Sequence, residues 1–119
     1  MAELNYFNLS NVFGKLAVAD ITTVNKTILS NSINSNCLIR LNTILLCNVS
    51  NSTNGFANVS ITSASNTRVV SVLRKIQNNT TEKLIKRDTA FYMQEGDSLI
   101  MQANANSILQ AIVSYEILK

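Results

Sequence analysis

From Leu109 to Ile117 every second residue is apolar: Leu109, Ala111, Val113, Tyr115 and Ile117 fall on one side of an extended chain, opposed by Gln110, Ser114 and Glu116. A repeat of two belongs to a half-buried strand and is incompatible with a helix, which would scatter these side chains around its circumference. The same alternation sets Ala57, Val59 and Ile61 against Asn58, Ser60 and Thr62. Cys37, Ile39, Leu41, Leu45, Cys47 and Val49 share a parity in a third segment, where Leu38, Ile44 and Leu46 make the opposite face apolar as well. A strand apolar on both sides is central in its sheet or lies at a subunit interface.

Turn-forming clusters separate these segments at Asn31 to Asn36, Asn48 to Gly55, Gln77 to Thr81, Glu95 to Asp97 and Asn104 to Asn106. Their spacing predicts strands over 15–29 (with a break near Asp20), 37–49, 56–63, 68–77, 82–93 with interruptions, 98–103 and 107–118. The expected fold class is all-β: one antiparallel β-sandwich, jelly-roll or immunoglobulin-like, over residues 15–119. Residues 1–14, carrying Leu4, Tyr6, Phe7, Leu9, Val12 and Phe13, are too short for a second domain and read either as an anchoring arm or as an extra strand. Proline is absent and there are only three glycines, so asparagine must supply the left-handed turn positions. An AT-rich genome would give the same asparagine bias.

Chemistry is sparse. The chain has no histidine, which excludes Ser-His-Asp and Cys-His catalysis and histidine-based metal sites. Glu95 and Asp97 flank Gly96 in what reads as a solvated tight turn rather than an acid-base pair, and no glycine-rich phosphate loop occurs. Ten residues of extended chain at ~3.3 Å each separate Cys37 from Cys47, far beyond the ~7 Å a disulfide tolerates. Unless the strand folds back near Asn42 the two cannot pair, and both are expected as small buried hydrophobes on one face. Neither catalysis nor a cofactor nor a metal is expected, and no small-molecule substrate.

Charged residues make up 14% of the chain and the net charge is +3. That is too weak a basic balance to make nucleic acid the default partner, and a weakly charged polar surface suits a crowded assembly. No apolar run reaches the ~18 residues of a membrane span, and the N-terminus lacks the pattern of a secretion signal, so synthesis in a bacterial cytoplasm and no membrane association are expected. Arg74, Lys75, Lys83, Lys86 and Arg87 surround Asn78 to Thr81; on a hairpin they would gather at one end or edge, as a solvated edge or as a contact to an acidic subunit or DNA. With Tyr6, Phe7 and Phe13 of the arm they form the candidate interface.

The order of Phe13-Gly14-Lys15-Leu16-Ala17, Thr22-Thr23-Val24, Leu46-Cys47-Asn48, Asn58 to Thr62, Glu95-Gly96-Asp97-Ser98-Leu99 and Ile112-Val113-Ser114-Tyr115-Glu116 resembles a family of short virion structural proteins of tailed phages infecting marine cyanobacteria and pelagic bacteria. The likeness runs over residues 12–118. Several relatives carry a proline-containing turn before the long strand, whereas Ser30 to Ser35 has none. The resemblance implies a β-sandwich repeated on the virion, as a capsid decoration (cement) protein on the major capsid protein or as a tail, neck or baseplate component. A closed homo-oligomer, with a trimer favoured, would bury the second apolar face of the 37–49 strand. A receptor- or glycan-binding module is the remaining alternative, with Tyr6, Tyr92, Tyr115 and the phenylalanines as stacking candidates, although most of these occupy expected core positions.

Overall fold

The alternating C-terminal segment is the second strand of a sheet, paired on both sides. The computed structural model describes residues 12–63, 66–85 and 91–119. Nine strands follow one another: β1 (Val12–Ile21), β2 (Lys26–Ser30), β3 (Leu38–Asn48), β4 (Gly55–Ser63), β5 (Asn66–Ile76), β6 (Thr81–Ile85), β7 (Phe91–Met93), β8 (Asp97–Ala103) and β9 (Leu109–Leu118). One sheet has the order β1-β9-β3-β6, with β7 also paired to β3, and the other the order β2-β8-β4-β5. Every pairing is antiparallel.

β6 covers Ile44 to Cys47 of β3 and β7 covers Ile39 to Leu41, so together they act as one interrupted strand. The pairs β1 with β9, β2 with β8, β3 with β6 and β7, and β4 with β5 are then nested, as in one long hairpin wrapped into a barrel. Apart from the β4 to β5 connection and the β6 to β7 interruption, each connection crosses between sheets. That is the jelly-roll arrangement, and it decides between the two sandwich types expected from the sequence. Strand pairing opens at Val12 opposite Leu118, so Val12, Phe13 and Gly14 are strand; residues 1–11, which include Tyr6 and Phe7, lie outside the described residues.

The core lies between the sheets. Ile39, Leu41, Ile44, Leu46, Ala111 and Val113 from one sheet meet Ala57, Val59, Leu99 and Met101 from the other. Leu109, Ala111 and Val113 are buried, with Tyr115 and Ile117 packed at the core's margin, so the C-terminal stripe faces inward throughout.

The central strand β3 departs from the expected parity. Leu41 pairs with Tyr115 but Thr43 pairs with Ser114, so Asn42 is an extra residue, a β-bulge. A one-residue insertion exchanges the faces of everything beyond it. Ile39 and Leu41 point to the core before the bulge, Ile44 and Leu46 after it, and Leu45 and Cys47 turn to the outer face. Cys37 precedes β3 and Cys47 turns to its outer face, so they do not form the expected shared stripe, and both are half-buried free thiols rather than the buried hydrophobes expected.

The bulge is checked by comparing neighbours. Leu46→Ala is expected to lower the unfolding free energy of the monomeric chain in urea by about 2–5 kcal/mol. Leu45→Ala should cost less than half as much, and equal losses would deny the exchange of faces.

Candidate functional site

Two buried asparagines close the two ends of the sandwich. At one end Asn31 donates through Nδ2 to the carbonyls of Cys37 and Met93, both at 3.0 Å, while its Oδ1 accepts from Ser35 Oγ at 2.6 Å. Its backbone accepts from Gly96 N at 2.7 Å and donates to Asp97 O at 2.9 Å. At the other end Asn48 Nδ2 donates to Thr53 O and Ile76 O, both at 2.9 Å, and Oδ1 accepts from Ser50 N at 2.8 Å. An amide offers two donors and an acceptor, which matches the two carbonyls and one donor that each asparagine meets.

Glu95, Gly96 and Asp97 form the turn read from the sequence. Asp97 N donates to Gln94 O at 3.1 Å and Gly96 has φ 90°, the conformation a type II turn requires at its third position. The Glu95 carboxylate is engaged with the neighbouring loop, accepting from Asn34 N and Asn36 N at 3.0 Å each. Asn34, Asn36 and Asn79 have φ of 67°, 55° and 57°, so asparagine does fill left-handed positions, two of them in the loop between β2 and β3. Asp97 Oδ2 caps Gln94 N at 2.8 Å. Both carboxylates therefore hold loops. Among the described residues no group of three or more histidine, cysteine or acidic side chains gathers as a metal site.

The basic cluster is not on a hairpin. β5 is an edge of one sheet and β6 an edge of the other, so Gln77 to Thr80 cross between sheets. Arg74, Lys75 and Lys83 share a margin of the molecule but diverge. Arg74 Nη2 pairs with Glu82 Oε2 at 3.1 Å. Lys75 stands opposite Phe56, on the side of its sheet away from buried Ala57, and Lys83 stands beside Leu45 on the outer face of the other sheet. Lys86 and Arg87 lie outside the described residues.

The aromatic residues are more exposed than the sequence suggests. Tyr115 packs at the core, but Phe13, Phe91 and Tyr92 are exposed. Phe13 lies opposite Ile117, with Lys119 Nζ 5.8 Å from its ring centre.

Among the described residues, the outer face of the β1-β9-β3-β6 sheet carries two partly apolar rows. Pairing register aligns Val18, Ile112, Leu45 and Lys83 in one row across four strands, and Leu16, Ser114 and Thr43 in the next. On one side runs the row Asp20, Gln110, Cys47, Thr81, and on the other Gly14, Glu116, Arg40, Tyr92. Arg40 Nη1 and Asn42 Nδ2 both donate to Glu116 Oε1, at 3.4 and 2.9 Å. Beyond Gly14, Glu116 and Arg40 the same face carries a further apolar row, Val12, Leu118 and Leu38, in which Leu118 is buried.

In β1 the alternation is inverted in size. Ala17 and Ala19 face the core, while Val12, Leu16 and Val18 are 56%, 64% and 64% exposed. Sequence reasoning missed these residues although the signal was present, because 16–19 are apolar at both parities. Which parity turns inward is set by pairing with Ala111 and Val113.

No family model matches the chain, and no curated protein matches it. Among solved structures, a chain from Bacillus endospore appendages, described as forming a novel family of disulfide-linked pili, has a similar fold, with TM-score 0.52 at 7% identity, over 99% of this chain and 95% of that one.

Asn31→Ala removes both donors from buried carbonyls and is expected to cost about 2–4 kcal/mol. Amide exchange should rise in 31–37 and 94–97. A loss under about 0.5 kcal/mol, as for an ordinary surface site, would contradict the role given to Asn31.

Proposed function

We propose that this chain is a non-catalytic structural subunit that works through assembly contacts, in the virion of a tailed phage, as a capsid decoration protein seated on the major capsid protein. The observation that carries the assembly reading is the outward apolar ridge of β1, Val12, Leu16 and Val18, on a sheet whose opposite face already forms the core. With Ala17 and Ala19 turned to the core, the larger Leu16 and Val18 stand in solvent, an exposure that marks a surface suited to being covered. The resemblance of the sequence segments from Phe13 to Glu116 to short virion proteins supports the virion as the site of that assembly. A rigid jelly roll closed at both ends by buried asparagines suits a load-bearing subunit. Tail, neck or baseplate placement asks for the same fold and differs in copy number.

A second reading is a subunit of a proteinaceous fibre. It is favoured by the likeness in fold to the pilus chain over nearly the whole length. Two free, half-exposed thiols are compatible with linkage between subunits.

Quantitative mass spectrometry of purified particles against the major capsid protein decides among these. A ratio near one, or one third, per capsid subunit is the expected result. A few copies per particle would move the chain to the tail or neck, and absence from the particle would overturn the virion reading.

A further inference from the structure

We propose that Asn54 is a site of spontaneous covalent modification, at which the Gly55 backbone nitrogen displaces the side-chain amide and leaves aspartate or isoaspartate in place of asparagine. This stands apart from the assembly reading above, since it involves only the loop between β3 and β4 and its neighbours at that end of the sandwich.

Asparagine is abundant in this chain, yet Gly55 is the only one of the three glycines preceded by it. Attack by a backbone nitrogen on the preceding side chain closes a five-membered ring. A side chain on the attacking residue crowds that closure, whereas glycine has none and its backbone reaches the required geometry most freely. Packing keeps the glycine in place. Gly55 is buried at the start of β4, and a Cβ there would lie 2.8 Å from Cδ2 and 3.0 Å from Cγ of Leu109, itself buried. Asn54 precedes the strand and is exposed, open to the water that the reaction consumes.

The local fold also prepares the electrophile. Asn78 N donates to Asn54 Oδ1 at 3.1 Å, and Asn78 is tied in turn through its own Nδ2 to Asn51 O at 2.9 Å. When the Gly55 nitrogen, having lost its proton, adds to Cγ, an electron pair moves onto Oδ1, where this fixed backbone donor stabilises it as an oxyanion hole would. Collapse of the adduct re-forms the carbonyl, breaks the Cγ–Nδ2 bond and, with a proton taken up by Nδ2, releases ammonia. Water then opens the cyclic imide. Cleavage between the Gly55 nitrogen and Cγ gives aspartate, and cleavage between that nitrogen and the main-chain carbonyl carbon of residue 54 gives isoaspartate.

The two products act differently on the fold. Aspartate keeps an acceptor for Asn78 N but places a charge among four loops, 22–25, 49–54, 77–80 and 104–108, that have no charged residue. Isoaspartate also lengthens the main chain by a carbon atom between Thr53, whose carbonyl accepts from Asn48 Nδ2 at 2.9 Å, and Gly55, pressed against Leu109. The isoaspartyl form therefore loosens the end of the sandwich that Asn48 closes.

The test follows every asparagine of the full-length folded chain by peptide mapping and isoaspartate-resolving mass spectrometry during incubation across a range of pH. Conversion at Asn54 is expected to be at least about tenfold faster than at any other asparagine, rising with pH because the attacking nitrogen must be deprotonated. Asn54→Gln, whose longer side chain would need a six-membered ring, should be inert at this position. The isoaspartyl fraction, separated by ion exchange, should melt about 4 °C or more below Asn54→Asp, which carries the same charge on a main chain of normal length. Faster conversion at another asparagine would overturn the proposal. So would an Asn54 that stays an amide in the folded chain and converts only in urea, because pairing of β4 with β5 would then withhold the Gly55 nitrogen.

Discussion

The whole arrangement depends on β9 lying between β1 and β3. The last strand of the chain pairs with the first described strand over ten unbroken positions and with the long central strand over nearly its full length. The sandwich is therefore closed only when the two ends of the chain have met. Contacts of such sequence separation are entropically expensive to form, so the strand that makes them must contribute strongly to the core. Leu109, Ala111 and Val113 do this on one face. The bulge at Asn42 then keeps β3 in step with β9: without it, Ile44 and Leu46 would point to solvent and Leu45 and Cys47 inward.

The bulge also has a consequence for the surface. By turning Leu45 outward it supplies the third member of the apolar row begun by Val18 and Ile112. Asn42 itself, placed where the strand kinks, donates to Glu116 and helps hold the Arg40 pair that borders that row. One inserted residue thus completes the core and shapes the outer face. The jelly roll alone does not specify a role, since the same architecture serves many functions, and assembly is proposed on the exposed apolar side chains Leu16 and Val18 of β1.

Much of this was legible in the sequence. Period-two alternation located β3, β4 and β9, and turn signals located β5 and β8, to within about two residues. Asparagine clusters located the loops, and left-handed Asn34, Asn36 and Asn79 show why glycine was dispensable there. The bulge was not legible, because Asn42 is an unremarkable polar residue in a run apolar at both parities, and only pairing with Tyr115 and Ser114 reveals it. The basic cluster misled because sequence proximity across Asn78 to Thr81 resembles a hairpin, whereas the chain there changes sheets. The β1 ridge was hidden by the small size of alanine, which reads as weakly hydrophobic although it is what the crowded interior accepts beside Val113 and Ala111.

Hydroxyl-radical footprinting of the chain, free and within the assembly from which it is isolated, tests the central claim most directly. The account expects Leu16 and Val18 to lose most of their reactivity in the assembly, while Val24 and Ile33, 69% and 74% exposed in the loops, keep theirs. Leu16 and Val18 equally reactive in both states would contradict it.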